Sequence, residues 1–192
     1  MSSVDEVEKK VRRAVSNIRK SKDVADSWKH FESIIEIVSP GFIRNSAVVV
    51  KRKNDDEGFI ESSKPVFIIT AKLGMADIVE MFAFIKEKIE PNEFGLGDDT
   101  HVILDDYNGN YIAKRKKSWV LLHHEEGYEK ALKTWKSFSS LFQELLITTL
   151  EHSYQQWLKD NKPSFYKKIK NRLGIEHIHP SIRWWKKKQL TT

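Results

Sequence analysis

The hydrophobic period of this chain changes at Ser39-Pro40-Gly41. Before that break the apolar residues recur at three- and four-residue steps. Val4, Val7, Val11, Val15 and Ile18 form one stripe, and Val24, Trp28, Phe31, Ile35 and Val38 form another. That spacing places each set on one face of a helix, so helices are expected over 3–20 and 23–38. After the break the stretch 42–52 (FIRNSAVVVKR) is rich in β-formers. The acidic, turn-forming Asn54-Asp55-Asp56-Glu57-Gly58 follows, then a short Phe59-Ile60 segment and the turn Ser62-Ser63-Lys64-Pro65. Residues 66–72 (VFIITAK) are the most apolar short run, and their length and flanking turns favour a buried strand. A chain that uses both periods needs a sheet with helices packed on it.

The rest of the chain extends this pattern. Ile78, Val79, Phe82, Ile85 and Ile89 read as a helix over 75–89. Strands are expected over 101–104, 111–113 and 119–122. The first two are joined at Asp106-Tyr107-Asn108-Gly109-Asn110, where Asn-Gly tolerates positive φ. Tyr128, Leu132, Trp135, Phe138, Phe142, Leu145, Leu146 and Thr149 trace one wide stripe, so a single long helix is expected from Glu125 to about Lys159. Asn161-Lys162-Pro163 breaks it, and a short basic helix over 163–173 is expected to close at Gly174. The expected class is α/β or α+β. It has a central mixed sheet flanked by helices, in a domain over 1–160, followed by a basic, aromatic appendage over 161–192.

Charge separates these two parts. Residues 162–192 carry nine Lys or Arg and one acid, a net +8, whereas residues 1–161 sum to −2. Lys167, Lys168, Lys170, Arg172, Arg183, Lys186, Lys187 and Lys188 share this segment with Phe165, Tyr166, Trp184 and Trp185. Cations attract phosphates and release counterions, and aromatic faces stack on exposed bases, so nucleic acid is the leading partner class. An anionic membrane surface suits the same composition, with Trp at headgroup depth. A helix packed by its aromatics, with solvated lysines, suits it too. A second cluster, Lys114, Arg115, Lys116 and Lys117, lies beside Tyr111 and Trp119. On a hairpin, alternation puts Lys114 and Lys116 on one face and Arg115 and Lys117 on the other. Such a rim contacts phosphates, or blocks edge-to-edge aggregation.

Other classes are excluded or weakly marked. The chain has no cysteine, which removes disulfides, thiol catalysis and Cys-based zinc sites. No apolar run approaches the roughly 18 residues of a membrane span. The polar start MSSVDEVEKKVRR is unlike a secretory signal, so an intracellular location, cytoplasmic or nuclear, is expected. The N-terminal helix is short for a coiled coil but long enough for a protein or self-association contact. His123-His124 on a strand would point to opposite faces, and His177 and His179 lack a third ligand. Asp98-Asp99 and Asp105-Asp106 read as turn and cap residues. Gly95 and Gly97 lack the context of a phosphate loop.

One stretch resembles a known superfamily. In residues 55–74 (DDEGFIESSKPVFIITAKLG) an acidic turn precedes a buried strand that ends in lysine. In its order and spacing over about 23–125, the chain is similar to the restriction-endonuclease-like, PD-(D/E)-x-K, nucleases. The resemblance implies Asp55 or Asp56 as the first metal-binding acid, Lys72 as the lysine and Glu36 as an auxiliary acid. Glu61 is the remaining nearby carboxylate. The position two before Lys72 is Thr70, where the family has Asp or Glu. The resemblance therefore implies a nuclease-like fold that has lost catalysis and still binds nucleic acid or serves as a scaffold. No cofactor is expected in that case. The alternatives are a Mg2+-dependent nuclease using Asp55, Asp56, Glu61 and Lys72, and an adaptor that binds a partner or membrane through its tail.

Overall fold

The structure is a computed structural model that describes residues 3–43, 67–85, 95–97 and 99–161. Two helices open the chain, α1 (Val4–Lys20) and α2 (Val24–Val38). Each starts at a side-chain cap. Ser3 Oγ accepts the Glu6 amide at 3.2 Å and Asp23 Oδ1 accepts the Asp26 amide at 2.8 Å, which satisfies donors the helix itself cannot. The stripes expected from the sequence are buried on both helices, and that of α1 is already covered within the chain. A self-association contact through α1 would therefore have to use its polar faces.

Six strands follow: β1 (Phe67–Leu73), β2 (Ala76–Phe84), β3 (Thr100–Asp105), β4 (Tyr111–Arg115), β5 (Ser118–Leu122) and β6 (Ala131–Trp135). They pair in chain order, every neighbouring pair antiparallel. The sheet is thus an antiparallel meander, where a mixed sheet was expected. Short hairpin connections explain this, because a parallel neighbour needs a long crossover. A long helix, α3 (Phe138–Asn161), completes the described chain.

The helices cover one face of the sheet. Phe67, Ile69, Phe82, Leu104, Ile112, Leu121 and Trp135 pack there against Phe31, Phe142, Leu145 and Leu146. A smaller apolar cluster on the other strand face comprises Leu96, Val102, Tyr111, Ala113, Val120 and Leu122. The register shifts between Val102 and Leu104, and that irregularity lets the two residues serve different clusters. Gln143 near the start of α3 donates to the Ser21 carbonyl at 2.8 Å, and Tyr154 near its end lies beside Glu8 and Arg12. The two helices run antiparallel.

Two sequence expectations are corrected. Residues 76–84 form β2, not a helix. Gly74, at φ +59°, and Met75 make a two-residue turn that folds β2 back onto β1. The helix expected from Glu125 begins only at Phe138. Its N-terminal part is replaced by a 3-10 turn at His124–Glu126 and by β6. Ser137 Oγ accepts the Ser140 amide at 3.1 Å and starts α3 there. The expected strand over 42–52, the 59–60 segment, the short basic helix and the tail lie outside the described residues.

Candidate functional site

The basic cluster at 114–117 is placed by the β4–β5 hairpin. Arg115 pairs with Ser118, so Lys116 and Lys117 form a two-residue tip and are exposed. Lys116 takes φ +54°, which is uncommon for a residue with a side chain. Lys114 Nζ lies 5.7 Å from the centroid of the Trp119 ring, on the helix-covered face. Arg115 has a different task. Its guanidinium donates to Thr100 Oγ1 at 3.1 Å, the Tyr128 carbonyl at 3.1 Å and the Leu96 carbonyl at 2.9 Å. It ties two loops to the sheet, so the tip offers three lysines rather than four cations.

The tip and the end of the described chain are far apart. Phe138, the first residue of α3, packs on Trp119 with ring centroids 5.1 Å apart. Asn161 lies at the other end of that helix, about 35 Å away at 1.5 Å per residue. Lys167, Lys168, Lys170, Arg172, Arg183, Trp184, Trp185, Lys186, Lys187 and Lys188 all lie outside the described residues. So do Asp55, Asp56 and Glu61. Lys72 is described, and sits exposed on β1 opposite Asp77 of β2. Glu36 accepts the Gly41 amide at 2.8 Å and the Ile43 amide at 2.7 Å, so its carboxylate closes the end of α2.

The densest group of titratable side chains lies at the opposite end of β4 from the lysines. Asp106 is buried in the β3–β4 turn. Its Oδ1 accepts the Asn108 amide at 2.7 Å and the Asn110 amide at 2.9 Å, and its Oδ2 accepts Asn110 Nδ2 at 2.6 Å. Asp105 Oδ1 accepts the Tyr107 amide at 2.7 Å. The turn and cap roles expected for this pair are therefore present. Asn110 Oδ1 in turn accepts the His124 amide at 3.1 Å and lies 2.8 Å from His124 Nδ1. Tyr128 Oη donates to the Gly109 carbonyl at 2.7 Å. Tyr107 is exposed at the tip of this turn with φ +61°.

Glu80 of β2 joins this group, and the sequence reading passed over it. Burial and the facing carboxylates Asp106 and Glu125 push its carboxyl up to about 7. Burial also pushes Tyr111 up to about 12, with Asp105 adding to the effect. His123 and His124 do not diverge as expected. His123 ends β5 and caps the 3-10 turn, which leaves the two rings stacked with centroids 4.7 Å apart. Burial and the neighbouring His124 lower the His123 pKa. Among the described residues no group of three His, Cys, Asp or Glu could hold a metal ion.

Comparison with protein-family models, curated proteins and solved structures finds no match.

Proposed function

We propose that this protein binds nucleic acid without cleaving it, and that its basic C-terminal segment supplies most of the affinity. The observation that carries this reading is charge segregation: a net +8 in 162–192 against −2 in the preceding 161 residues. Each phosphate neutralised by a lysine or arginine releases a counterion, so affinity comes from the segment's charge and falls steeply with salt. Trp184 and Trp185 add stacking on unpaired bases. Lys114, Lys116 and Lys117 are a secondary contact. This reading places the protein inside the cell, with its substrate.

Binding without cleavage follows from the strand that ends at Lys72. The nuclease-like alternative needs a carboxylate two residues earlier, where the chain has Thr70, and the helix expected after Lys72 is a strand. Divalent-metal catalysis of phosphoryl transfer depends on such carboxylates.

The test is anisotropy of labelled duplex and single-stranded oligonucleotides, titrated with the full chain across a salt series. Steep weakening with salt is expected. Replacing Lys186, Lys187 and Lys188 by Glu should weaken binding at low salt by at least about tenfold. Trp184→Ala with Trp185→Ala should weaken single-strand binding more than duplex binding. Absence of binding by the full chain at low salt overturns the reading. Flotation of the chain on anionic vesicles would then assign the segment to a membrane surface. Added magnesium in the same samples reads out cleavage, which is not expected.

A further inference from the structure

β2 is longer than the part of it that β3 holds. All nine of its positions lie alongside β1 or its turn, but β3 pairs only with Ala83 and Phe84. The outer parts of β1 and β2 therefore form a two-stranded arm that leaves the sheet, with Met75 fully exposed at its tip. Two side-chain contacts stand at the root of the arm. On the β1 side, Lys133 Nζ donates to the Thr70 carbonyl at 3.1 Å and pairs with Glu144 of α3. On the β2 side, Glu80 faces Asp106 of the β3–β4 turn and Glu125 of the 3-10 turn.

The chemistry of that second contact is asymmetric. Asp106 is buried, and three donors converge on its two oxygens, two from backbone amides and one from the Asn110 side chain. That arrangement favours the anion. Among the described residues, the charged groups that face Glu80 are acids on both neighbouring elements. A second carboxylate cannot sit there at low cost, so the proton that lets the two carboxyls lie together belongs to Glu80.

We propose that the Glu80–Asp106 contact is a proton-operated latch that fastens the β1–β2 arm to the β3–β4 turn. With the proton present, Glu80 donates to Asp106 and the arm lies against the turn. When the proton leaves, Asp106, Glu125 and Glu80 repel one another across the junction. The arm then keeps only its β1-side tie to Lys133 and its short ladder to β3. The raised carboxyl range of Glu80 puts this transition close to neutral pH. Asp105 and the stacked His123 and His124 lie in the same group of side chains, and their titration adds to the charge at the junction.

The absence of cysteine makes the test direct. Met75→Cys at the arm tip and Lys130→Cys on the body take two spin labels in the full chain. Their distance distribution is measured by double electron–electron resonance at about pH 5.5 and about pH 8.5, well to either side of the transition. A narrow distribution at the lower pH and a broadened or displaced one at the higher pH is expected. The latched population should fall about tenfold per pH unit above the transition. In the same pair, Glu80→Gln keeps a neutral donor and should stay narrow at both pH values. Superimposable distributions at the two pH values, or broadening that persists in Glu80→Gln, would overturn the proposal. So would circular dichroism showing loss of the whole fold at the higher pH.

Discussion

Thr149 Oγ1 accepts the backbone amide of Ile68 at 2.9 Å, across 81 residues of sequence, while its hydroxyl donates to the Leu145 carbonyl at 2.6 Å. One buried hydroxyl thus joins α3 to the first described strand of the sheet. Thr149→Val keeps the shape and removes the acceptor, leaving the Ile68 amide buried and unpaired. A loss of about 1–3 kcal/mol is expected from urea unfolding followed by circular dichroism. Thr149→Ser keeps the acceptor and should lose less.

Glu144 ties α3 to the far edge of the sheet. One oxygen pairs with Lys133 and the other accepts Trp135 Nε1 at 2.8 Å. The pair is partly exposed, which weakens its Coulomb contribution. Glu144→Ala removes both contacts and should lower stability by about 1–2 kcal/mol. Glu144→Gln retains an acceptor for Trp135 and should recover part of that loss in the same unfolding series.

The two turns that flank β4 should respond in opposite senses to backbone substitution. Gly109 has φ +88°, and a Cβ there would meet Tyr128 Oη at 3.2 Å. Gly109→Ala should destabilise by about 1–3 kcal/mol. Lys116 carries a side chain at φ +54°, where glycine is at ease. Lys116→Gly should stabilise by about 0.5–1 kcal/mol. Thermal unfolding midpoints that moved in the same direction would contradict this pair.

The pH dependence of stability has a sign that can be worked out. The folded-state pKa of Glu80 is raised from 4.5 to about 7, so the folded chain binds more protons in that window. Its contribution is complete below 4.5 and is lost as pH rises towards 7. The lowered pKa of His123 acts the other way, since a buried neutral ring must charge as pH falls below 6.5. Glu80→Gln should therefore gain most over the native chain at about pH 8, and the gain should vanish below about pH 4.5. Chemical unfolding midpoints across that range measure it.

The first two helices and strands β3 to β5 were legible because their signals are local. A stripe with a cap marks each helix, and Asp106 to Asn110 marks a turn whose side chains satisfy its own backbone. β2 was misread because both of its faces are partly covered, so Ile78, Val79 and Phe82 do not alternate. The available signal was Gly74 between two β-capable runs. Glu80 was lost with that error, since its partners are set by the register of β2 rather than by sequence proximity. β6 was hidden because Tyr128, Leu132, Trp135 and Phe138 keep helical spacing through a strand, and Ser137 was not weighed as a cap. Of the basic cluster, composition gave the lysines. Only the geometry shows that Arg115 is spent on the Leu96 and Tyr128 carbonyls.

The order of elements also governs how the chain assembles as it is synthesised. Each hairpin of the meander pairs with its neighbour in sequence, so the strands can form early and fast. The first two helices cannot finish burying their stripes until α3 arrives, because Phe142, Leu145 and Leu158 belong to the same core. Synthesis normally favours folding from the N-terminus forward. Here the earliest helices must wait for the last one, and the ribosome holds an open, half-covered sheet until that helix is made.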